Sequence, residues 1–212
     1  MNSGVKHHPH RIPVWAKPKV RNLGAPHDMK ARLRRLSLHT VCESARCPNI
    51  GECFVKGTAT VMIMGDVCTR KCAFCAVTHG APSGLDPSEP RNVADLVGEL
   101  GLRHIVITSV ARDDLPDGGA EHFLACVRAV KEAHPSTKVE ILTPDFQGDV
   151  KSAALVAEAP FDIFNHNMEN GQTTPETHPA YGEIRALARR APVHGGTASR
   201  RVGEKRLHAR SW

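Results

Sequence analysis

Aromatic residues are scarce in this chain, at 4% of 212 residues, so its core has to be built mainly from Val, Leu, Ile and Ala. Long apolar runs are also missing: no stretch approaches the roughly 20 apolar residues of a membrane-spanning helix, and we expect no membrane partner. The amino-terminal 17 residues lack the apolar segment of a secretory signal. We therefore expect a reducing, cytoplasmic location, where clustered cysteines bind metal or do redox work more often than they form disulfides.

Positive charge is unevenly distributed along the sequence. The formal net charge is +6, and residues 171–212 alone contain eight Lys or Arg against three acidic residues. No aromatic residues interleave with these charges, as they would in a surface on which nucleic-acid bases stack. We expect a solvated, disordered basic tail and no nucleic-acid partner.

Three closely spaced cysteines dominate the middle of the chain. Cys68, Cys72 and Cys75 are separated by three and then two residues, directly after the apolar run from Thr60 to Gly65. A cubane iron-sulfur cluster has four irons and usually takes four thiolates. Three protein thiolates would leave one iron able to bind another ligand, which makes this segment a candidate site for chemistry.

A second group of three cysteines precedes the first. Cys42, Cys47 and Cys53 are separated by four and five residues, in a segment that Pro48 and Gly51 interrupt. These helix breakers predict a loop that wraps its thiols around one point.

Two other interpretations of the six thiols are weaker. Closed all-thiolate zinc sites need four ligands each, so six cysteines cannot fill two of them. A disulfide framework suits a secreted protein, which nothing in the amino-terminal sequence indicates. Cys126 falls within a predicted helix, and we expect it to be a small core residue.

The middle of the sequence alternates strand and helix patterns. Predicted helices cover 28–38, 92–100, 119–133 and 150–157, and predicted strands cover 58–64, 104–110, 138–142 and 161–164. This order predicts an α/β fold with a parallel sheet, open or curved into an incomplete (β/α) barrel. Such folds place their sites at the carboxyl ends of the strands. After Asn170 we expect no strand, so the fourth strand would keep an unpaired edge and the chain would be weakly stable.

The cysteine spacings and their flanking residues resemble one known family. Cys68-x3-Cys72-x2-Cys75 is similar to the signature of the radical S-adenosylmethionine (radical SAM) superfamily. The segment from Val41 to Cys53, VCESARCPNIGEC, resembles the lipoyl synthase family within it. Three further segments are similar to other parts of that family: TSVARDDLPDGGA from Thr108, VEILTPDF from Val139 and FNHN from Phe164.

The resemblance implies two 4Fe-4S clusters and S-adenosylmethionine as cofactors. The first cluster would lie on Cys68, Cys72 and Cys75, with S-adenosylmethionine on its open iron. The second, on Cys42, Cys47 and Cys53, would be the sulfur donor. The implied activity is sulfur insertion at C6 and C8 of an octanoyl chain held on a lipoyl carrier protein, by way of a 5'-deoxyadenosyl radical and with a reducing electron donor as a further partner. No catalytic residue beyond the clusters is implied.

Several other residues are candidates for binding the cofactor. Phe74 matches the superfamily's aromatic position beside the adenine, with a buried loop anchor as the alternative. Glu140 is a candidate acceptor for the ribose hydroxyls and Asn165 a candidate cofactor contact, with ordinary buried hydrogen bonding as the alternative for each. The segment Arg112 to Asp114 either binds the cofactor's methionine end or pairs internally. His166 is expected to be a hydrogen-bonded loop histidine.

The resemblance stops after about Glu169. The family's carboxyl-terminal Arg-Ser-Ser-Tyr motif has no counterpart in the ending ARSW, so we expect a truncated or frame-shifted product. The predicted organisation is an amino-terminal arm with the second cysteine group at 1–57, a partial radical SAM barrel at 58–169 and a disordered tail at 170–212. An inactive fragment that only binds a cluster or a partner is the alternative function.

Overall fold

The computed structural model describes residues 24–45, 47, 49–56, 58–73, 75–167 and 201–205. Six α-helices are described: α1 Gly24–Arg35, α2 Val41–Ser44, α3 Ile50–Val55, α4 Glu89–Leu100, α5 Ala120–Ala133 and α6 Val150–Ala157. The strands are β1 His39–Thr40, β2 Thr58–Ile63, β3 Val67–Cys68, β4 Thr78–His79, β5 His104–Ser109, β6 Lys138–Thr143, β7 Ile163–Asn167 and β8 Arg201–Lys205. Within these residues, no helix has the length and apolar character needed to cross a membrane.

The main sheet has six strands in the order β1-β2-β5-β6-β7-β8. β1 is antiparallel to β2, and every other neighbouring pair is parallel. The described sheet is open rather than closed into a barrel, which confirms the predicted partial α/β fold. β3 and β4 form a separate parallel pair beside the main sheet.

Helices cover one face of the main sheet. Alternate positions of the strands, such as Ile105, Ile107 and Ile141, are fully buried and belong to one hydrophobic core with Phe123 and Val127 of α5. Strand residues two apart point to the same face, so this core fixes which residues are on the opposite face. Along that opposite face, Thr60 pairs with Val106, Val106 with Glu140, and Glu140 with Ile163.

Some helices differ from their predicted limits. α1 begins at Gly24 rather than at residue 28, because Pro26 lies in its first turn, where its missing N–H costs no helical hydrogen bond. It ends at Arg35, before Ser37 adopts a left-handed φ of 53°. α4 begins at Glu89 rather than at residue 92, because Pro90 lies in its first turn, where a missing N–H costs no helical hydrogen bond.

The segment with the second cysteine group is more helical than predicted. Two short helices, α2 and α3, occupy much of what we expected to be a loop. The Thr40 hydroxyl caps α2 by accepting the Glu43 N–H at 3.3 Å. The Asn49 carbonyl accepts the Cys53 N–H at 3.1 Å at the start of α3. Each helix is about one turn long, too short to give the apolar periodicity on which the prediction depended.

The expectation of no strand after Asn170 was wrong. β8 pairs in parallel with β7 from Ile163↔Arg201 to Asn167↔Lys205. The fourth predicted strand, β7, therefore does not have the unpaired edge that we expected. The sequence RVGEK contains one β-branched residue and a glycine, so its pattern gives little strand signal, and the pairing depends on the exposed backbone groups of β7.

Candidate metal centre

The loop that carries the first cysteine group begins where β2 ends. Met64 and Gly65 turn the chain with φ values of 67° and 91°, and the chain then enters β3 at Val67. Cys68 is half-buried, and its Sγ accepts the N–H groups of Arg70 at 3.4 Å and Ala111 at 3.3 Å. Peptide N–H groups of this kind stabilise a thiolate sulfur, as they do in iron-sulfur proteins.

The other two thiols of this group are exposed. Cys75 donates its backbone N–H to the Cys72 carbonyl at 3.1 Å, which folds the segment between them into a tight turn. The loop therefore anchors Cys68 against the protein and leaves Cys72 and Cys75 at the surface.

The loop is fastened to the carboxyl ends of two neighbouring strands. The Thr69 hydroxyl donates to the Ala111 carbonyl at 3.0 Å and accepts the Asp113 N–H at 3.1 Å. Arg70 pairs with Asp113, which follows β5, and with Asp145, which follows β6. The hydrogen bonds with Asp113 and Asp145 raise the pKa of Arg70 above its ordinary value, so the guanidinium stays protonated. Neither Thr69 nor Arg70 was among the predicted site residues, although both lie between Cys68 and Cys72.

Cys42 of the second cysteine group lies against β2. Burial raises the pKa of the Cys42 thiol, a hydrogen bond from the Thr60 backbone lowers it, and the charges of Cys47 and Cys53 raise it further. These interactions place Cys42 against Thr60 of β2, and the convergence of all three thiols on one point stays a prediction. Thr60 is on the sheet face opposite Ile105 and Ile107, which places Cys42 on that face.

The two predicted polar cofactor contacts lie on that same face. Glu140 and Asn165 are both buried, and Asn165 Nδ2 donates a hydrogen bond to Glu140 Oε1. His104 Nε2 lies 3.1 Å from Glu140 Oε2 without making a hydrogen bond. Glu140 and Asn165 thus have the buried hydrogen bond that was the alternative to cofactor binding. Phe74 lies outside the described residues, and so does the side chain of His166.

The acidic and basic residues after β5 pair within the protein. Arg112 is buried and donates to Asp114 through Nε at 2.8 Å and Nη2 at 2.7 Å. This pairing was one of the two predicted roles for the segment, while Asp113 turns instead to Arg70. Cys126 lies on α5 and is buried in the hydrophobic core, as expected.

Free thiols are the usual protein ligands of iron-sulfur clusters, and two clusters on these six cysteines stay a prediction. All seven cysteines are free thiols, which contradicts a disulfide framework. Two groups of three thiols stand apart from Cys126, and each group suits an iron-sulfur cluster that keeps one iron for another ligand. The first group lies at the carboxyl edge of a parallel sheet, where α/β folds bind their ligands.

A parallel α/β sheet with three cysteines in the loop after its first parallel strand is the architecture of the radical SAM superfamily. The sequence model of this superfamily matches residues 62–194, more than half of the chain and well beyond residue 169. A second model, the N-terminal domain of lipoyl synthase of the radical SAM family, matches residues 3–47. The chain belongs to the radical SAM superfamily and, within it, to the lipoyl synthase family.

Curated relatives agree with this assignment. Lipoyl synthase of Neisseria meningitidis serogroup C is 51% identical over 183 residues, covering 80% of this chain and 55% of the relative. Lipoyl synthase of Chromobacterium violaceum is 53% identical over 158 residues, covering 74% of this chain and 50% of the relative. That of Dichelobacter nodosus is 54% identical over 158 residues, covering 74% and 49%. The chain thus spans about half the length of the curated relatives it matches.

Proposed function

We propose that this chain carries the cluster-binding part of a lipoyl synthase that inserts sulfur at C6 and C8 of a protein-bound octanoyl chain. One observation carries the proposal. The second cysteine group, through Thr60, and the Glu140–Asn165 pair lie on one face of the sheet, and the first cysteine group lies at that sheet's carboxyl edge. A substrate bound on that face would have both thiol groups beside it.

Six cysteines would hold the two 4Fe-4S clusters. Cys68, Cys72 and Cys75 would bind one, and Cys42, Cys47 and Cys53 the other. When bound, the first supplies the electron that cleaves S-adenosylmethionine to a 5'-deoxyadenosyl radical, and the second supplies sulfur. The work of the chain is to orient these groups: the Ala111 N–H fixes the Cys68 sulfur, and Arg70 holds the loop against two strand ends.

Glu140 and Asn165 would bind S-adenosylmethionine. Asn165 donates to one Glu140 oxygen, and this bond orients the carboxylate that would accept a ribose hydroxyl. Phe74 would stack beside the adenine.

The partners in this proposal are an octanoylated lipoyl carrier and a reducing electron donor, with no nucleic acid or membrane partner. We place the protein in the cytoplasm. Residues 1–57 would supply the second cluster, residues 58–169 the radical SAM unit and residues 170–212 a tail.

An inactive fragment that only binds a cluster or a partner is the second candidate. Such a chain would bind iron at the six cysteines without cleaving S-adenosylmethionine.

Anaerobic reconstitution followed by incubation with S-adenosylmethionine and a strong reductant separates the two candidates. The proposed function predicts a brown protein with two clusters per chain that releases 5'-deoxyadenosine. A chain that holds both clusters yet produces no 5'-deoxyadenosine is the fragment. Zinc without a brown chromophore would refute both cluster assignments.

A further inference from the structure

The turn that leads from β2 into the first cysteine group is held by a carboxylate from α4. Met64 adopts a left-handed φ of 67°, which a side chain other than glycine seldom does, and Gly65 follows at 91°. The Met64 N–H donates to both carboxylate oxygens of Glu89, at 3.1 and 2.9 Å. Glu89 is buried, so water does not compete for this bond.

α5 supports the same turn from a second direction. His122 Nε2 lies 2.6 Å from Glu89 Oε2 and holds the carboxylate in place. Gly119, just before α5, lies against the Met64 side chain: a Cβ on Gly119 would be 2.2 Å from Met64 Sδ. The backbone and the side chain of Met64 are therefore fixed by two different helices.

Cys126 lies one turn after His122 and completes a group of three potential metal ligands within 4.8 Å of one another. A metal ion would need the Glu89 carboxylate, but this carboxylate already accepts from Met64 and His122. Burial raises the pKa of the Cys126 thiol and the charge of Glu89 raises it further, so the thiolate that a metal ion needs is disfavoured. Hydrogen bonding to the turn explains this group better than a metal ion does.

We propose that Glu89 is a positioning residue for the cluster on Cys68, Cys72 and Cys75, and that His122 acts by fixing the Glu89 carboxylate. The inference rests on the proposed function, because it requires a cluster on those cysteines. Cys68 comes four residues after Met64, and its sulfur has to meet the Ala111 N–H at 3.3 Å. Releasing the Met64 N–H would let the turn relax and move that sulfur away from its place.

The test uses the full chain with Cys42, Cys47 and Cys53 replaced by Ala, so that all bound iron reports on the first group. After anaerobic reconstitution, we would measure iron release to a chelator and the electron paramagnetic resonance spectrum of the reduced cluster. Glu89→Ala should release iron about tenfold faster, as loss of an outer hydrogen-bonding partner typically does, and should change the spectrum. Glu89→Gln should keep most of the parent's slow iron release and most of its spectrum, because the glutamine amide oxygen still accepts the Met64 N–H.

Glu121→Ala is the matched control, since Glu121 is an exposed carboxylate next to His122 on α5, and it should leave both readouts unchanged. A lower melting temperature in Glu89→Ala with the parent's release rate and spectrum would overturn the inference, because the role would then be structural only. If Glu89→Ala does not fold, Glu89→Asp replaces it, because aspartate keeps the charge on a shorter side chain. Iron release from Glu89→Asp at the parent's rate would also overturn the inference.

Three further outcomes are informative. A parent that binds no iron refutes the cluster on Cys68, Cys72 and Cys75, and with it both the proposed function and this inference. If the parent binds iron and Glu89→Ala has the same iron release and spectrum, the inference is refuted while the proposed function stands. Stoichiometric zinc that is lost in Glu89→Ala and Cys126→Ala would also overturn it, in favour of a metal site.

Discussion

Arg70 donates to both carboxylate oxygens of Asp113, from Nε at 2.6 Å and from Nη2 at 2.8 Å. Its Nη2 also lies 2.8 Å from Asp145 Oδ1. Arg70 lies in the loop that carries the first cysteine group, Asp113 lies in the loop after β5, and Asp145 lies in the loop after β6. One guanidinium therefore joins three loops at the carboxyl edge of the sheet.

Replacing Arg70 by Lys should destabilise the protein by about 1 kcal/mol, because an ammonium group cannot make the paired hydrogen bonds of a planar guanidinium. The same change should increase the rate of iron loss from the first cysteine group, since the loop would be held at fewer points. Urea unfolding and iron release to a chelator measure the two effects.

Arg91→Lys is the control for Arg70→Lys. The Arg91 side chain is 85% exposed and lies 3.7 Å from Asp95 across one helical turn. Exposed pairs of this kind contribute little, so the change should stay within about 0.5 kcal/mol. Equal effects of the two substitutions would contradict the joining role of Arg70.

The long elements of the fold were predictable because each has a strong periodic pattern. β5 is a continuous β-branched and apolar run, β6 has the β-branched residues Val139 and Ile141 at alternate positions, and α5 has an apolar stripe that includes Phe123 and Val127. Their order along the chain then specified a parallel sheet. β8 was not predictable, because its pairing depends on the free edge of β7 rather than on its own residues.

The candidate site likewise has features that were predictable from the sequence and features that were not. The cysteine groups were visible in the sequence, since short spacings place thiols together whatever the surrounding fold. The bond between Arg70 and Asp113 spans 43 residues, and the bond between Met64 and Glu89 spans 25. Contacts between distant residues depend on how the helices pack on the sheet, which no local pattern encodes.

The two cysteine groups should have separable roles. Replacing Cys68, Cys72 and Cys75 together by Ala should abolish release of 5'-deoxyadenosine and remove one cluster's iron. Replacing Cys42, Cys47 and Cys53 should remove the other cluster's iron while 5'-deoxyadenosine is still released. Iron analysis and chromatography of the nucleoside measure the two properties.

Cys126→Ala is the control for these cysteine replacements. It should change neither the iron content nor the nucleoside, because Cys126 is buried in the core. Release of 5'-deoxyadenosine by the chain without Cys68, Cys72 and Cys75 would refute the proposed division of labour.

Gly119→Ala should destabilise the protein more than Gly101→Ala. Both glycines have left-handed φ values, 84° and 55°, so each alanine costs about 1–2 kcal/mol for its backbone conformation. A Cβ at Gly101 meets nothing within 4 Å, whereas one at Gly119 would displace the buried Met64 side chain. The difference between the two urea midpoints measures this displacement.

A double substitution isolates the contact. Met64→Ala removes the atoms that collide with a Cβ at Gly119, so Gly119→Ala should cost less in the Met64→Ala protein than in the parent. Strict additivity of the two changes would show that Met64 does not constrain Gly119.

Asp114→Asn should weaken the protein at neutral pH and flatten its acid dependence. The bond from Arg112 lowers the pKa of Asp114, so its contribution is present above the ordinary pKa of about 4 and is lost as the pH falls through the lower folded value. Because Arg112 is buried and Asp114 is 37% exposed, we expect a loss of about 1 kcal/mol, less than for a fully buried pair. Urea midpoints at several pH values from neutral to strongly acidic check this.

Asp149→Asn is the contrast to Asp114→Asn. The hydroxyl of Ser152 lowers the pKa of Asp149 at the start of α6, and the sign of its pH dependence is the same. Asparagine also caps helices well, so stability at neutral pH should hardly change while the acid dependence flattens. A large loss at neutral pH in Asp149→Asn, or none in Asp114→Asn, would contradict the two assignments.

Glu140→Gln should weaken S-adenosylmethionine binding about tenfold, since a charged acceptor for a ribose hydroxyl contributes roughly 1.5 kcal/mol. The amide keeps the size of the side chain, so the hydrogen-bonded contact with Asn165 and the packing of β6 against β7 should survive. Glu158→Gln makes the same chemical change on an exposed residue after α6 and should leave binding unchanged. Equilibrium titration of the reconstituted protein with S-adenosylmethionine gives the dissociation constants, and circular dichroism verifies the fold. Equal affinities for the parent and Glu140→Gln would leave Glu140 with its buried hydrogen bond alone, and the cofactor would then have to contact other residues of this face.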